Sequence, residues 1–103
     1  MKIELLSFED SPNHDAAVDL LSSVLAEHLV SEPIDYADVP DAETGERVRF
    51  PGSPTIRING NDIDPNYEDS GDYALQCRVY ATPDGYSGVP DRAWIESAIA
   101  DAV

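Results

Sequence analysis

The spacing of hydrophobic residues changes within the first third of the chain. Residues 2–8 form a short apolar run, which predicts a strand covered on both faces, because such strands lose strict alternation. Residues 12–30 then place apolar side chains three and four positions apart, which predicts an amphipathic helix. The expected apolar face of this helix consists of Ala17, Leu20, Leu21, Val24, Leu25, His28 and Leu29.

The junction between these two elements has the composition of a helix start. Ser11 can cap the helix by accepting a hydrogen bond from its first turn, and Pro12 suits the first helical position, where the N–H that it lacks has no partner. Pro33 favours the end of the helix shortly before it. Residues 34–39 alternate loosely and predict a second strand, parallel to the first, after a right-handed crossover.

The middle of the chain predicts a short helix and a third strand. The helix over residues 41–48 is weakened by Gly45, and residues 55–58 alternate as a strand. Asn59–Gly60 then predicts a turn, which residues 61–62 prolong.

The last part of the chain predicts one more strand and a final helix. Residues 66–72 are polar and acidic, as in a solvated loop, whereas the aromatic and β-branched content of residues 73–80 predicts a fourth strand. Residues 82–88 are expected to form a loop before a helix over residues 91–102. The apolar face of that helix would consist of Trp94, Ile95, Ala98, Ile99 and Ala102.

Length and charge limit the possible functions. The 103 residues suffice for one domain with one core, and they contain neither a membrane-spanning apolar run nor a secretory signal, which predicts a cytoplasmic protein. The net charge of −15 comes from 21 acidic residues spread along the chain against six basic ones. This composition resembles that of extreme halophiles, in which salt screens the repulsion; an acidic face for a basic partner is the alternative. Nucleic-acid binding is not expected, because phosphate contacts need Lys and Arg.

The cysteine and histidine content argues against a metal centre or a cofactor. Cys77 is the single cysteine, so the chain has no intramolecular disulfide, no Cys-x-x-Cys pair and no cysteine-based zinc cluster. His14 and His28 fall in one predicted helix about four turns apart, too far to share an ion. No glycine-rich phosphate loop is present either.

The Ser53–Pro54 bond stands directly before the third strand. An X-Pro bond at a strand start is a natural place for a cis peptide, and "Gly-Ser-Pro-Thr-Ile" resembles the cis-proline loop of thioredoxin-like proteins. The predicted order, β-α-β and then β-β-α, agrees with that fold. The resemblance implies a single thioredoxin-like α/β domain over residues 1–103, built around a four-stranded mixed sheet.

More narrowly, the chain resembles a family of short thioredoxin-like proteins, some of them selenoproteins. Those proteins carry Cys-Pro-Asn after the first strand, a Gly-Ser-Pro-Thr loop, a Cys-Arg-x-Tyr strand and a Gly-x-Pro segment. The counterparts here are Ser11–Pro12–Asn13, Gly52–Ser53–Pro54–Thr55, Cys77–Arg78–Val79–Tyr80 and Gly88–Val89–Pro90.

The resemblance places a serine, Ser11, where the family has its nucleophile. A serine hydroxyl ionises far less readily than a thiol and does not exchange with a disulfide, so ordinary dithiol chemistry is excluded there. Ser11 is then a helix cap, or else forms a hydrolytic pair with His14, which would also need an orienting acid and an oxyanion hole. His14 itself is either an exposed polar residue or a ligand group at the helix end.

Two functions remain open at this point. The first is a binding module that uses the groove between Ser11–Pro12–Asn13–His14 and Ser53–Pro54–Thr55, where the residue before a cis-proline could pair with an extended peptide. The second is a single-cysteine redox or thiol-transfer protein that uses Cys77 with a small external thiol. Cys77 is expected in mid-strand, either as a buried, inert thiol or facing the Ser11–Pro54 edge. The expected partners are thus an extended peptide or a small thiol, bound by a monomer.

Overall fold

A mixed sheet with the strand order β2-β1-β3-β4 organises the computed structural model, which describes residues 1–102. Its strands are β1 (Ile3–Ser7), β2 (Ile34–Asp38), β3 (Thr55–Ile58) and β4 (Asn61–Asp62). The helices are α1 (His14–Glu27), α2 (Ala42–Arg47) and α3 (Arg92–Ala102), and a separate hairpin consists of β5 (Tyr80–Thr82) and β6 (Gly85–Ser87). The predicted α/β class and the four-stranded mixed sheet are confirmed.

The central strand β1 explains the mainly apolar run at the start of the chain, which Glu4 interrupts. It pairs in parallel with β2 across the α1 crossover, as predicted, and antiparallel with β3. Ile3 and Leu5 face the main core beside α1 and α3, whereas Leu6 faces a second cluster with Val39 and Phe50. Because β1 is covered on both faces, its apolar residues are not restricted to alternate positions.

Helix α1 is shorter at both ends than its hydrophobic pattern predicts. It begins at His14 after Asn13, so Ser11 is not the N-cap and Pro12 is not its first residue. It ends at Glu27, and Leu29 adopts a left-handed backbone (φ 56) with 91% of its surface exposed. His28 leaves the apolar face as well and meets Glu96 at the surface (Nε2 to Oε2, 3.0 Å). The prediction of the apolar face is therefore wrong for its last two residues, His28 and Leu29.

The fourth strand of the sheet is not the predicted one. Asn59 and Gly60 both have positive φ (54 and 83), the conformation of a tight hairpin turn, and they return the chain into β4 beside β3. Residues 73–79 belong to no strand; only Tyr80 of the predicted strand does, and it starts the hairpin with residues 85–87, where a loop was expected. Burial does alternate at the end of this segment, since Arg78 and Tyr80 are buried and Cys77 and Val79 exposed.

The final helix follows the prediction closely. Ile95 and Ile99 of α3 are buried in the main core, with Trp94, Ala98 and Ala102 packed around them. Across residues 1–102, no helix combines the length and the apolar character that crossing a bilayer requires.

Candidate functional site

The cis-proline loop is packed against the rest of the molecule. The Ser53–Pro54 peptide bond is cis, as the sequence predicts. Ser53, Pro54 and Thr55 are all buried, and the Thr55 hydroxyl donates to the Gly52 carbonyl (2.6 Å). The Pro54 carbonyl accepts a hydrogen bond from the Tyr80 hydroxyl. Burial raises the pKa of the Tyr80 phenol above its ordinary range, so this hydroxyl keeps the proton that it donates.

Ser11 reaches this loop directly. The Ser53 hydroxyl donates to the Ser11 hydroxyl at 2.6 Å, and both side chains are buried. The two motifs that the sequence singles out therefore meet in space, 42 residues apart in the chain. Their contact also explains why Ser11 does not cap α1, because its hydroxyl is engaged with Ser53.

The backbone of Ser53 is already paired with another part of the chain. Its N–H donates to the Gln76 carbonyl (2.8 Å) and its carbonyl accepts from the Arg78 N–H (2.9 Å), which forms a parallel β-bridge between Ser53 and Cys77. These are the groups that an extended peptide was expected to use. The position for strand addition beside the cis-proline is thus filled by the protein's own segment, residues 76–78.

Arg78 anchors this segment. Its guanidinium makes two hydrogen bonds to Asp62 (2.6 and 3.0 Å) and lies against the rings of Tyr80 and Tyr67, 4.3 and 5.1 Å from their centroids. Burial disfavours the charge, but the hydrogen bond and the charge of Asp62 raise the pKa of Arg78 above its usual value. The pair is almost fully buried, with 8% of the Arg78 and 5% of the Asp62 side chain exposed.

Gly52 makes room for Arg78. Gly52 has φ 139, a backbone conformation that favours glycine, and a Cβ at this position would lie 3.0 Å from Arg78 Cβ. The glycine of the Gly-Ser-Pro-Thr sequence therefore lets residues 76–78 approach the cis-proline loop closely. Sequence reasoning did not assign Gly52 or Arg78 a role, because neither the contact nor the burial of the arginine has a local signal in the chain.

Cys77 is exposed, which rules out the first of its two expected positions, that of a buried, inert thiol in mid-strand. It lies outside any strand and faces Ser53 across the β-bridge. Residues that face each other in this way project their side chains to the same side of the paired backbones. Cys77 thus lies on the side of the loop on which Ser53 contacts Ser11.

The N-terminal turn of α1 is the accessible part of the predicted site. Pro12 is exposed, and Asn13 and His14 are half-buried. Asn13 lies directly over Gly88, where a Cβ would fall 2.2 Å from its Nδ2, so this turn also contacts the segment before α3. The N-terminus of α1, the cis-proline loop and residues 76–78 therefore meet at one end of the sheet.

His14 pairs with Ser7 and not with Ser11. Its Nδ1 is 2.7 Å from the hydroxyl of Ser7, the last residue of β1, whereas the Ser11 hydroxyl is engaged with Ser53. The hypothetical Ser11–His14 hydrolytic pair is therefore wrong. Sequence reasoning missed Ser7, although a polar residue at the end of a strand that leads into a helix start was a signal for it.

The described residues contain no set of three or more His, Cys, Asp or Glu side chains with the geometry of a metal site. No family model, curated protein or solved structure matches this chain. The function of this protein is therefore inferred from the geometry of the site.

Proposed function

We propose that this protein is a thioredoxin-like binding module without a dithiol pair, and that its ligand is a small thiol held at Cys77. The thioredoxin-like assignment is supported by the β-α-β crossover, the antiparallel β3, the C-terminal helix and the cis bond of Ser53–Pro54 before β3. The observation that carries the functional proposal is the bridge that brings the only cysteine, exposed, opposite Ser53.

The loop that carries Cys77 supports a role in binding. Residues 63–79 contain no helix or strand, and loops longer than about 12–15 residues are uncommon in compact domains and usually functional. Its last part is fixed by Arg78, so the position of Cys77 is defined. The same segment occupies the backbone groups of Ser53, which favours a small ligand over an extended peptide, since a peptide would first have to displace residues 76–78.

The chemistry of the proposed binding is thiol–disulfide exchange. The Cys77 thiolate attacks one sulfur of a small disulfide, a new S–S bond forms to Cys77 as the old one breaks, and the departing thiolate takes up a proton. No second cysteine in the chain can release the adduct. Because position 11 is a serine, the mixed disulfide stays in place. A cysteine at that position could attack it and release the ligand.

Oxidised glutathione is expected to modify folded protein at Cys77 with a rate that saturates as its concentration rises, because binding precedes exchange. The rate would be followed by intact-mass spectrometry in molar salt, and one adduct per chain is expected. Cys77→Ser, a substitution at an exposed position, serves as the control that should give none. A rate that stays linear in glutathione disulfide and equals that of the urea-denatured chain would contradict a binding site.

The second candidate function, thiol transfer, is favoured by the exposure of Cys77 itself. A transfer protein would pass the adduct to a second thiol and turn over, whereas a binding module would keep it. Reduced glutathione added to the purified mixed disulfide separates the two functions. Release within seconds and steady turnover would establish transfer; an adduct that persists for hours supports binding.

The proposed setting is the cytoplasm of a cell with high internal salt. An exposed single thiol suits a reducing compartment, where it stays free until it meets a small disulfide. Apart from Asp62, whose side chain is almost fully buried beside Arg78, the acidic residues are exposed or half-buried, so most of the negative charge belongs to the surface that faces the surrounding solution. We propose that the protein acts there as a monomer.

A further inference from the structure

A cleft of about 290 Å³ lies on the other side of the α1 N-terminus, where β1 and β2 end. It is separated from the cis-proline loop by β1, which pairs with β2 on one side and β3 on the other. The carboxyl ends of neighbouring parallel strands are the usual place for ligands in open α/β sheets. The cleft is lined by Ser7, Phe8, Glu9, His14, Tyr36, Ala37 and Asp38.

Aromatic rings form the walls of this cleft. Tyr36 keeps 59% of its surface exposed, and its ring lies 6.4 Å from that of His14 at an angle of 53°. The hydrogen bond between Ser7 and His14 holds the imidazole in place. Phe8, which packs against the second core cluster, also lines the cleft. Tyr36 therefore presents an exposed aromatic ring to the cleft. Its packing in the fold does not explain this exposure.

Carboxylates complete the lining, and neither lysine nor arginine contributes to it. Glu9 and Asp38 are both exposed at the edge of the cleft. Aromatic faces attract cations through the ring quadrupole, and carboxylates accept the hydrogen bonds of an ammonium group. Rings and carboxylates together select a ligand with an apolar body and a positive charge.

We propose that this cleft binds an organic primary amine, with the ammonium group between Glu9 and Asp38 and the apolar body against Tyr36 and Phe8. The site contains neither Cys77 nor the cis-proline loop, so it is independent of the thiol function proposed above. The amine enters from the open side of β2, which is an edge strand of the sheet.

Benzylamine is a suitable probe, and benzyl alcohol is its uncharged counterpart of similar shape. Binding would be measured by NMR titration of the full chain in molar sodium chloride, which suppresses unspecific attraction to the acidic surface. Benzylamine is expected to saturate, with shifts confined to the cleft, and benzyl alcohol to bind about two- to fivefold more weakly. Tyr36→Ala, a substitution of an exposed side chain, should also lower the affinity for benzylamine.

A pair of matched variants tests whether the carboxylate of the cleft matters. Asp38→Asn should weaken benzylamine binding about twofold or more, up to about fivefold. Asp35→Asn, on the same strand and exposed but outside the cleft, changes the net charge equally and should leave the affinity unchanged. Equal losses in both variants, equal binding of benzyl alcohol, or no saturation with benzylamine would each overturn the proposal. Cys77→Ser should bind benzylamine like the wild type.

Discussion

Arg78→Met is expected to lower the free energy of unfolding by about 3–5 kcal/mol, the largest effect of any single substitution at the site. The methionine can fill part of the space but leaves the carboxylate of Asp62 without its partner. Only 5% of that side chain is exposed, so water cannot replace the two lost hydrogen bonds. The contacts with the rings of Tyr80 and Tyr67 lose their charge as well.

The chain offers a matched control in Arg49→Met. Arg49 also pairs with a carboxylate, that of Asp69, but 67% of its side chain is exposed. An ion pair of this kind contributes at most about 1 kcal/mol, and salt screens it. Urea unfolding in molar salt, followed by circular dichroism, compares the two variants. Similar small losses for both would show that the Arg78–Asp62 pair does not hold the loop.

Arg78→Met has a second expected consequence, at Cys77. Arg78 fixes residues 76–78 against Ser53, so its loss should free the segment while the sheet remains folded. The rate of modification by oxidised glutathione should then become linear in its concentration, as for an unstructured thiol. A saturable rate equal to that of the wild type would show that the position of Cys77 does not depend on Arg78.

Much of the fold could be predicted where a local pattern carries the structural cause. The period of α1, the alternation of residues 55–58 and the Asn59–Gly60 turn can each be recognised within a few consecutive residues, and the structure contains the helix, the strand and the turn. The ends of α1 were harder to predict. The hydroxyl of Ser11 has the chemistry of a cap, but a partner 42 residues away, Ser53, takes it.

The wrongly predicted strand over residues 73–80 shows a second limit of prediction from sequence. Residues 73–80 have strand-like composition, and burial does alternate from residue 77 to residue 80. What composition cannot show is the partner, and β3 pairs with the two residues that follow the turn instead. The segment is left with one bridge to Ser53, held by a side-chain network that joins Arg78 to Asp62 across 16 positions. Consequently Cys77 is exposed although its neighbours in the sequence predicted a buried strand.

Lowering the salt from molar to about 0.01 M is expected to unfold the protein or bring it close to unfolding. The Debye length grows from about 3 Å to about 30 Å over this range. The longest dimension of the molecule is 35 Å, so at low salt nearly every surface carboxylate repels every other, and a net charge of −15 has few cations to offset it. In molar salt only neighbouring carboxylates repel each other, so the folded protein tolerates the same acidic surface.

The measurement is the urea midpoint as a function of sodium chloride, with sucrose at matched osmolality as the control, since sucrose favours burial without screening charge. Salt should raise the midpoint steeply and sucrose only slightly. Partial neutralisation of the carboxylates near pH 4 should reduce the dependence on salt, because fewer charges then need screening. If the midpoint were the same in 0.01 M and 1 M salt, self-repulsion would not govern stability. The acidic surface would then be better explained as a face for a basic partner, because the charges would cost the isolated protein nothing and their role would lie in association.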